Sequence, residues 1–254
     1  MIGPLFSLFA IAATSYAPLG QQEMRSTVTV SGPCVGQCPP GNVTIGAGEI
    51  VGQRPDGTVV VVTARHVIDD STSVEVFVRN GATPGIAFDA FSQASTGHRA
   101  TLIAYAANVD LALVEFSPAR LDDFTLAPIA SDDRAAQPIP GVVVGDPNGS
   151  LWTASPYTFL NRDATTFDFD CGTCGPGDSG GGVFDADGAL LGIVVQQRIS
   201  DDDDSLRTSE FQAISLAELR TFLTLAGTVR PVASASWSVW ARRFYHTASY
   251  RAPA

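Results

Sequence analysis

Gly177-Asp178-Ser179-Gly180-Gly181 is the stretch on which the reading of this chain turns. A serine hydroxyl is a poor nucleophile until a base takes its proton, and the oxyanion it creates needs donors already in place. Gly177 has no side chain, so its N–H can turn into the same hollow as the N–H of Ser179. Gly180 and Gly181 let the backbone run close to a neighbouring group without steric cost. The five residues therefore suit a nucleophile loop.

A base and an orienting acid are found upstream. Histidine is scarce: His66, His98 and His246 are the only ones. His66 follows Val60-Val61-Val62-Thr63-Ala64-Arg65, an apolar β-branched run that predicts a buried strand ending at a turn. Asp110 opens Asp110-Leu111-Ala112-Leu113-Val114-Glu115-Phe116, a second apolar strand. His98 lies in a polar, Gly-containing segment and His246 in the tail, so both are weaker candidates for the base.

These segments together resemble the chymotrypsin-like (trypsin-like) serine proteases, closest in style to bacterial and viral trypsin-like peptidases. The serine loop is similar to the family's Gly-Asp-Ser-Gly-Gly. Thr63-Ala64-Arg65-His66 resembles Thr-Ala-Ala-His with Arg65 in place of the second alanine, and Asp110-Leu111-Ala112-Leu113 resembles the strand that follows the family's triad acid. The order His, Asp, Ser is that of the chymotrypsin type, not of subtilisins or α/β-hydrolases. The resemblance implies an all-β fold of two six-stranded antiparallel β-barrels with a C-terminal helix. It also implies a serine endopeptidase that works through a His66–Asp110–Ser179 triad, an acyl-enzyme, and an oxyanion hole made by the N–H groups of Gly177 and Ser179.

The likeness extends over residues 42–226, the expected protease domain. Asn42–Val51, a turn at Pro55-Asp56-Gly57 and the His66 strand form a hairpin pattern. Val142–Gly149 resembles the strand and turn that open the second barrel. Val183-Phe184, a turn at Asp185–Gly188 and Leu190–Val195 predict another hairpin. Ser215-Leu216-Ala217-Glu218 is a capping-box pattern before a helix carrying Leu219, Phe222 and Leu223. Ile50-Val51-Gly52 mimics the freed N-terminus of digestive zymogens, but it lies too close to His66 to precede a set of barrel strands. It is expected to be a strand end, which leaves Asp178 in need of another partner.

Composition agrees with a compact β domain: 24 glycines and 16 prolines supply many turns, and no sustained helical periodicity precedes the end. The net charge of −11, with arginine as the only strong cation, argues against nucleic acid as a partner. A polypeptide substrate is expected, and no cofactor. The Asp201–Asp204 run is expected to be a solvated loop between strands, although clustered carboxylates also suit calcium.

The ends and the cysteines leave alternatives open. Residues 1–25 hold an apolar stretch, Leu5–Ala13, that suits a signal peptide and a secreted or periplasmic enzyme; no Lys or Arg precedes it, and Pro18 follows the small residues. The alternative is an intracellular protease cut from a viral polyprotein and acting partly in cis. The tail, residues 227–254, carries four arginines, no acid and several aromatics. It could dock on the acidic body, touch a membrane surface or stay unstructured. Cys34, Cys38, Cys171 and Cys174 would form two disulfides with three connectivities in an exported protein, or close one structural zinc, as in some viral proteases of this fold.

The resemblance also suggests substrate-binding residues. Thr173 falls at the base of the primary pocket, where trypsins carry an Asp. Val195 and Gln197 fall along the other wall. Val194 replaces the His of Glu-selective relatives, and Gln197 replaces a Gly that keeps the pocket open, so a shallow site for small or medium uncharged side chains is expected. Val195 replaces a Ser that bonds the triad Asp. A catalytically silent, protease-like binding module remains the reading from another class, and the intact trio speaks against it.

Overall fold

The structure, a computed structural model, describes residues 16–33, 42–68, 73–131, 141–199, 207–226 and 248–251. A short helix α1 (Tyr16–Glu23) leads into β1 (Thr27–Pro33), β2 (Asn42–Gln53), β3 (Val59–Thr63), helix α2 (Arg65–Ile68), β4 (Val74–Phe77), helix α3 (Phe88–Ala94), β5 (His98–Tyr105) and β6 (Ala112–Phe116). There follow β7 (Gly141–Gly145), β8 (Thr153–Arg162), β9 (Thr166–Asp170), β10 (Gly182–Phe184), β11 (Leu190–Ile199), β12 (Arg207–Ser215), helix α4 (Leu216–Ala226) and β13 (Ala248–Arg251). Among the described residues no helix is long and apolar enough to cross a membrane.

Two closed six-stranded antiparallel barrels result. The first runs β1-β4-β5-β6-β3-β2 and closes through β1–β2 pairing, with β13 added against β2. The second runs β10-β11-β12-β9-β8-β7 and closes through β10–β7. The local reasons are visible in β3, whose run of valines cannot adopt many rotamers and packs well on a pleated surface. Val59, Val61 and Val62 are wholly buried, and each contributes about 1.5–3 kcal/mol by leaving water. At the β2–β3 turn, the Asp56 carboxylate accepts the Thr58 N–H at 2.9 Å. At the β10–β11 turn, Asp185 accepts the N–H groups of Asp187 and Ala189. Both turns stand where the sequence predicts them.

Helix α4 begins with half of the expected capping box: Ser215 Oγ accepts the Glu218 N–H at 3.5 Å, while the Ser215 N–H donates to Thr165 O. Leu219 and Phe222 are buried.

The barrels extend beyond the expected residues 42–226 at both ends. β1 is a full barrel strand, because closing the first barrel needs a partner for both β2 and β4. Residues 20–25, within the expected N-terminal apolar segment, lie against the body, where Glu23 and Met24 are buried. Gly20 meets Ala154 so closely that a Cβ there would lie 2.5 Å from the alanine methyl, and Thr125 N–H donates to Arg25 O at 3.0 Å. In the tail, Ala248–Arg251 pair antiparallel with Asn42–Ile45, so at least this part docks as a strand. Helices α1, α2 and α3, of 8, 4 and 7 residues, are too short to contradict the absence of sustained helical periodicity before the end. The Asp201–Asp204 run, His246, Cys34 and Cys38 lie outside the described residues.

Candidate active site

His66 stands in α2, a single helical turn that follows β3 directly, and Asp110 stands in the turn before β6. Because β3 and β6 are paired from Val59↔Phe116 to Thr63↔Ala112, the end of one strand meets the beginning of the other. Asp110 grips His66 at two points: Oδ1 accepts the His66 main-chain N–H at 2.9 Å, and Oδ2 meets Nδ1 at 2.5 Å. Both side chains are nearly excluded from solvent. The acid therefore fixes the ring orientation and calls for the Nδ1–H tautomer, which directs the basic lone pair of Nε2 elsewhere.

Arg65, the residue that departs from the family pattern, supports the same turn. Its N–H donates to Asp110 O at 3.3 Å. Its buried guanidinium lies 4.1 Å from the Tyr105 ring centroid, and Nη1 donates to Ala106 O at 3.5 Å. A cation over an aromatic face in a desolvated setting contributes about 2 kcal/mol, here to the segment that carries Asp110.

Ser179 arrives from the second barrel. Ala47 of β2 donates its N–H to Ser179 O at 2.8 Å. Gly46 lies between Ser179 and α2: a Cβ there would come within 2.6 Å of both Ser179 O and Val67. The absence of a side chain at Gly46 thus lets the serine loop approach the turn that holds His66. Gly177 has φ +107°, and a Cβ would lie 2.2 Å from Asp146 O, so only glycine fits. Among the described residues neither the Gly177 N–H nor the Ser179 N–H has an acceptor, which leaves two adjacent donors at the loop.

A set of buried acids backs this loop. Asp178 accepts the Gly175 N–H at 2.8 Å; this backbone donor is its partner, in place of a freed chain terminus. Burial pushes its carboxyl up to about 7, against the lowering effect of that hydrogen bond. Asp146 accepts the Trp152 N–H at 2.8 Å, and burial holds its pKa well above the ordinary carboxylate range, with the nearby Asp178 adding to the shift. Glu49 joins the barrels: Oε1 accepts Thr27 Oγ1 at 2.8 Å and the Gly182 N–H at 2.9 Å, and Oε2 accepts Ser26 Oγ at 3.1 Å. Burial raises its pKa well above the usual value despite these three donors. Glu49 is missing from the sequence expectations; its only sequence signal is an acid inside an apolar strand.

Beside Ser179 lies a hollow of about 10 Å³, with Gly175 and Pro176 on one side, Val194, Gln196 and Gln197 on the other, and Phe211 in its wall. That is room for about one water. Of the residues expected at the substrate pocket, Gln197 lines the hollow, Val195 is buried without reaching it, and Thr173 is exposed and outside it. Phe211, opposite Gln197 in the β11–β12 register and stacked on Phe169 at 5.9 Å, takes the space instead. Cys171 and Cys174 form a disulfide just before Gly175. A larger cavity of about 330 Å³ lies between the Leu102–Val109 segment and α4, and Ser179 is not part of it.

Residues 46–193 match the family described as trypsin-like peptidase domain. Among solved structures, the chain is similar to the active form of the Rv3671c protease from M. tuberculosis, at 21% identity and a TM-score of 0.63, over 92% of this chain and 97% of that one. It is also similar to the serine endoprotease from Yersinia pestis, at 18% identity and a TM-score of 0.62, over 84% of this chain and 66% of that one. At such identities the likeness speaks for the fold. No curated protein matches the sequence. With the family matched across both barrels and more than half of its length, this chain belongs to the trypsin-like peptidases and is a serine endopeptidase acting on polypeptides.

Proposed function

We propose that this chain cleaves peptide bonds through His66, Asp110 and Ser179. The observation that carries the proposal is the two-point hold of Asp110 on His66, next to a β2 segment that also binds the Ser179 carbonyl. Ser179 Oγ attacks the scissile carbonyl while His66 Nε2 takes its proton. The resulting oxyanion accepts the N–H groups of Gly177 and Ser179, and loss of one such donor costs about 3–4 kcal/mol. His66 then gives the proton to the departing amine as the C–N bond breaks, leaving an acyl ester on Ser179. Water, deprotonated by His66, attacks that ester and restores the serine.

The small hollow beside Ser179 supports a preference for small uncharged side chains before the scissile bond, with Gln197 and Phe211 setting the limit. The Cys171–Cys174 disulfide supports an exported enzyme, since such bonds persist in oxidising compartments. No metal or cofactor takes part in this reaction scheme.

Cleavage of a randomised peptide library by purified protein, with Ser179→Ala and His66→Ala as controls, tests the proposal. Hydrolysis after Gly, Ala or Ser that disappears in both variants is the expected result. Equal cleavage by a correctly folded Ser179→Ala variant refutes it.

A further inference from the structure

One edge of β2 carries three partners in a row. Along its opposite edge β2 pairs with β1 from Val43 to Glu49. On the edge in question, Asn42–Ile45 pair with β13, and Gly48–Gln53 pair with β3. Between those stretches, Ala47 donates its N–H to Ser179 O and accepts Thr63 Oγ1 of β3 at 2.7 Å. The carbonyl of Ser179 therefore sits on the same edge as β13, two residues beyond the pair Ala248↔Ile45. Because the pairing is antiparallel, Ala248 is the end of β13 nearest Ser179.

A free strand edge is a surface onto which an extended polypeptide adds through main-chain hydrogen bonds. A polypeptide that leaves Ser179 along this edge, paired antiparallel to β2, runs in the direction of β13 and lies C-terminal to its own scissile bond. In this chain that place is taken by its own β13.

We propose that β13 is an intramolecular competitor of the substrate: it occupies the β2 edge that receives the portion of a polypeptide C-terminal to the scissile bond, and such a substrate binds only by displacing it. The proposal rests on Ser179 being the nucleophile. Because β13 belongs to the same chain as β2, its pairing is intramolecular, and an intramolecular competitor outcompetes dilute peptides without any tight contact. A substrate that ends at the scissile bond does not need the edge and escapes the competition.

The test is made in the full-length chain with Ser249→Pro combined with Tyr250→Pro, since proline lacks the N–H that strand pairing requires. Two probes are compared: a peptide extending four residues beyond the scissile bond, and an ester of the same acyl part. The expected result is a KM for the long peptide lowered by about tenfold or more, an unchanged kcat, and an unchanged KM for the ester. An unchanged KM for the long peptide, with or without a lower Tm, overturns the proposal, because β13 then only stabilises the barrel.

Binding separates this proposal from the catalytic one. In a Ser179→Ala background, a synthetic peptide of residues 244–254 should bind the double-proline variant about tenfold more tightly than it binds the protein whose tail is intact. If that shift is seen while the protein with Ser179 intact hydrolyses nothing, β13 is a displaceable occupant of the β2 edge, but the triad reading fails and the competition with substrate that rests on it fails too. Normal hydrolysis with no shift in KM or binding defeats the competitor and leaves the triad untouched.

Discussion

Asp110 and His66 are joined twice, through main chain and ring, at 2.9 and 2.5 Å. The acid thereby fixes both the position of α2 and the tautomer of the ring it carries. Asp110→Asn should keep the main-chain contact yet favour the wrong tautomer. The expected loss in kcat near neutrality is about 10⁴-fold, with little change in KM. Steady-state kinetics on a small-residue peptide checks this, and a loss below tenfold would mean that Asp110 does not orient the base.

Arg65→Ala should act on the same acid from behind. It removes the guanidinium from Tyr105 and Ala106 and loosens the segment leading to Asp110. A stability loss of about 2 kcal/mol is expected, with kcat lowered more than KM is raised. Denaturant titration and kinetics read the two effects separately.

The buried acids behind the nucleophile loop give the protein a defined pH dependence of stability. Asp178 titrates near 7 when folded and at an ordinary carboxylate value when unfolded. The folded state thus holds a proton that the unfolded state has lost between about pH 4 and 7, and unfolding free energy falls as pH rises through that window. Glu49 and Asp146, also raised, act in the same direction. Asp178→Asn, which keeps an acceptor for the Gly175 N–H, should flatten the curve and stabilise the protein above neutrality by up to a few kcal/mol. Urea denaturation at pH 5 and pH 8 measures it; an unchanged pH slope in the variant contradicts the assignment.

Much of this architecture can be read from local sequence. β3, β6, β7, β10 and β11 are β-branched or apolar runs ended by turn residues such as Asp56-Gly57 and Asp185–Gly188, so short-range chemistry is enough. β1 is different. Thr27-Val28-Thr29-Val30 alternates as a strand should, but its membership of the barrel depends on pairing with β4, and such long-range register leaves no trace in local periodicity. The same limit hides β13 against β2, and Phe211 opposite Gln197. Spacing from Ser179 suggests Thr173 for the pocket, whereas the β11–β12 register places Phe211 opposite Gln197, in the wall of the hollow beside Ser179. The partner of Asp178 is a backbone N–H, which no side-chain motif can announce.

Gln197→Gly should widen the hollow beside Ser179 without disturbing the core, because Gln197 is only partly buried. The expected shift is a gain of about tenfold in kcat/KM for Leu over Ala before the scissile bond, in line with 1–3 kcal/mol for added apolar contact. A library profile that does not change would remove Gln197 from the specificity assignment.

The cysteines give a test of compartment. Cys171→Ser with Cys174→Ser opens a very short loop, so its cost should be small, about 2 kcal/mol. If the enzyme is exported as proposed, a thiol count on the denatured protein should find none free, and elemental analysis should find no zinc. One zinc per chain with four reactive thiols after its removal would instead support a closed metal site in a reducing compartment.

The claim that Ser179 is the nucleophile activated by His66 is tested most directly by a fluorophosphonate probe followed by mass mapping of the labelled peptide. The predicted result is one phosphonyl group per chain on Ser179, formed quickly in the unaltered protein. His66→Ala should slow the labelling by several orders of magnitude. Labelling at another serine, or equal rates with and without His66, would contradict the account.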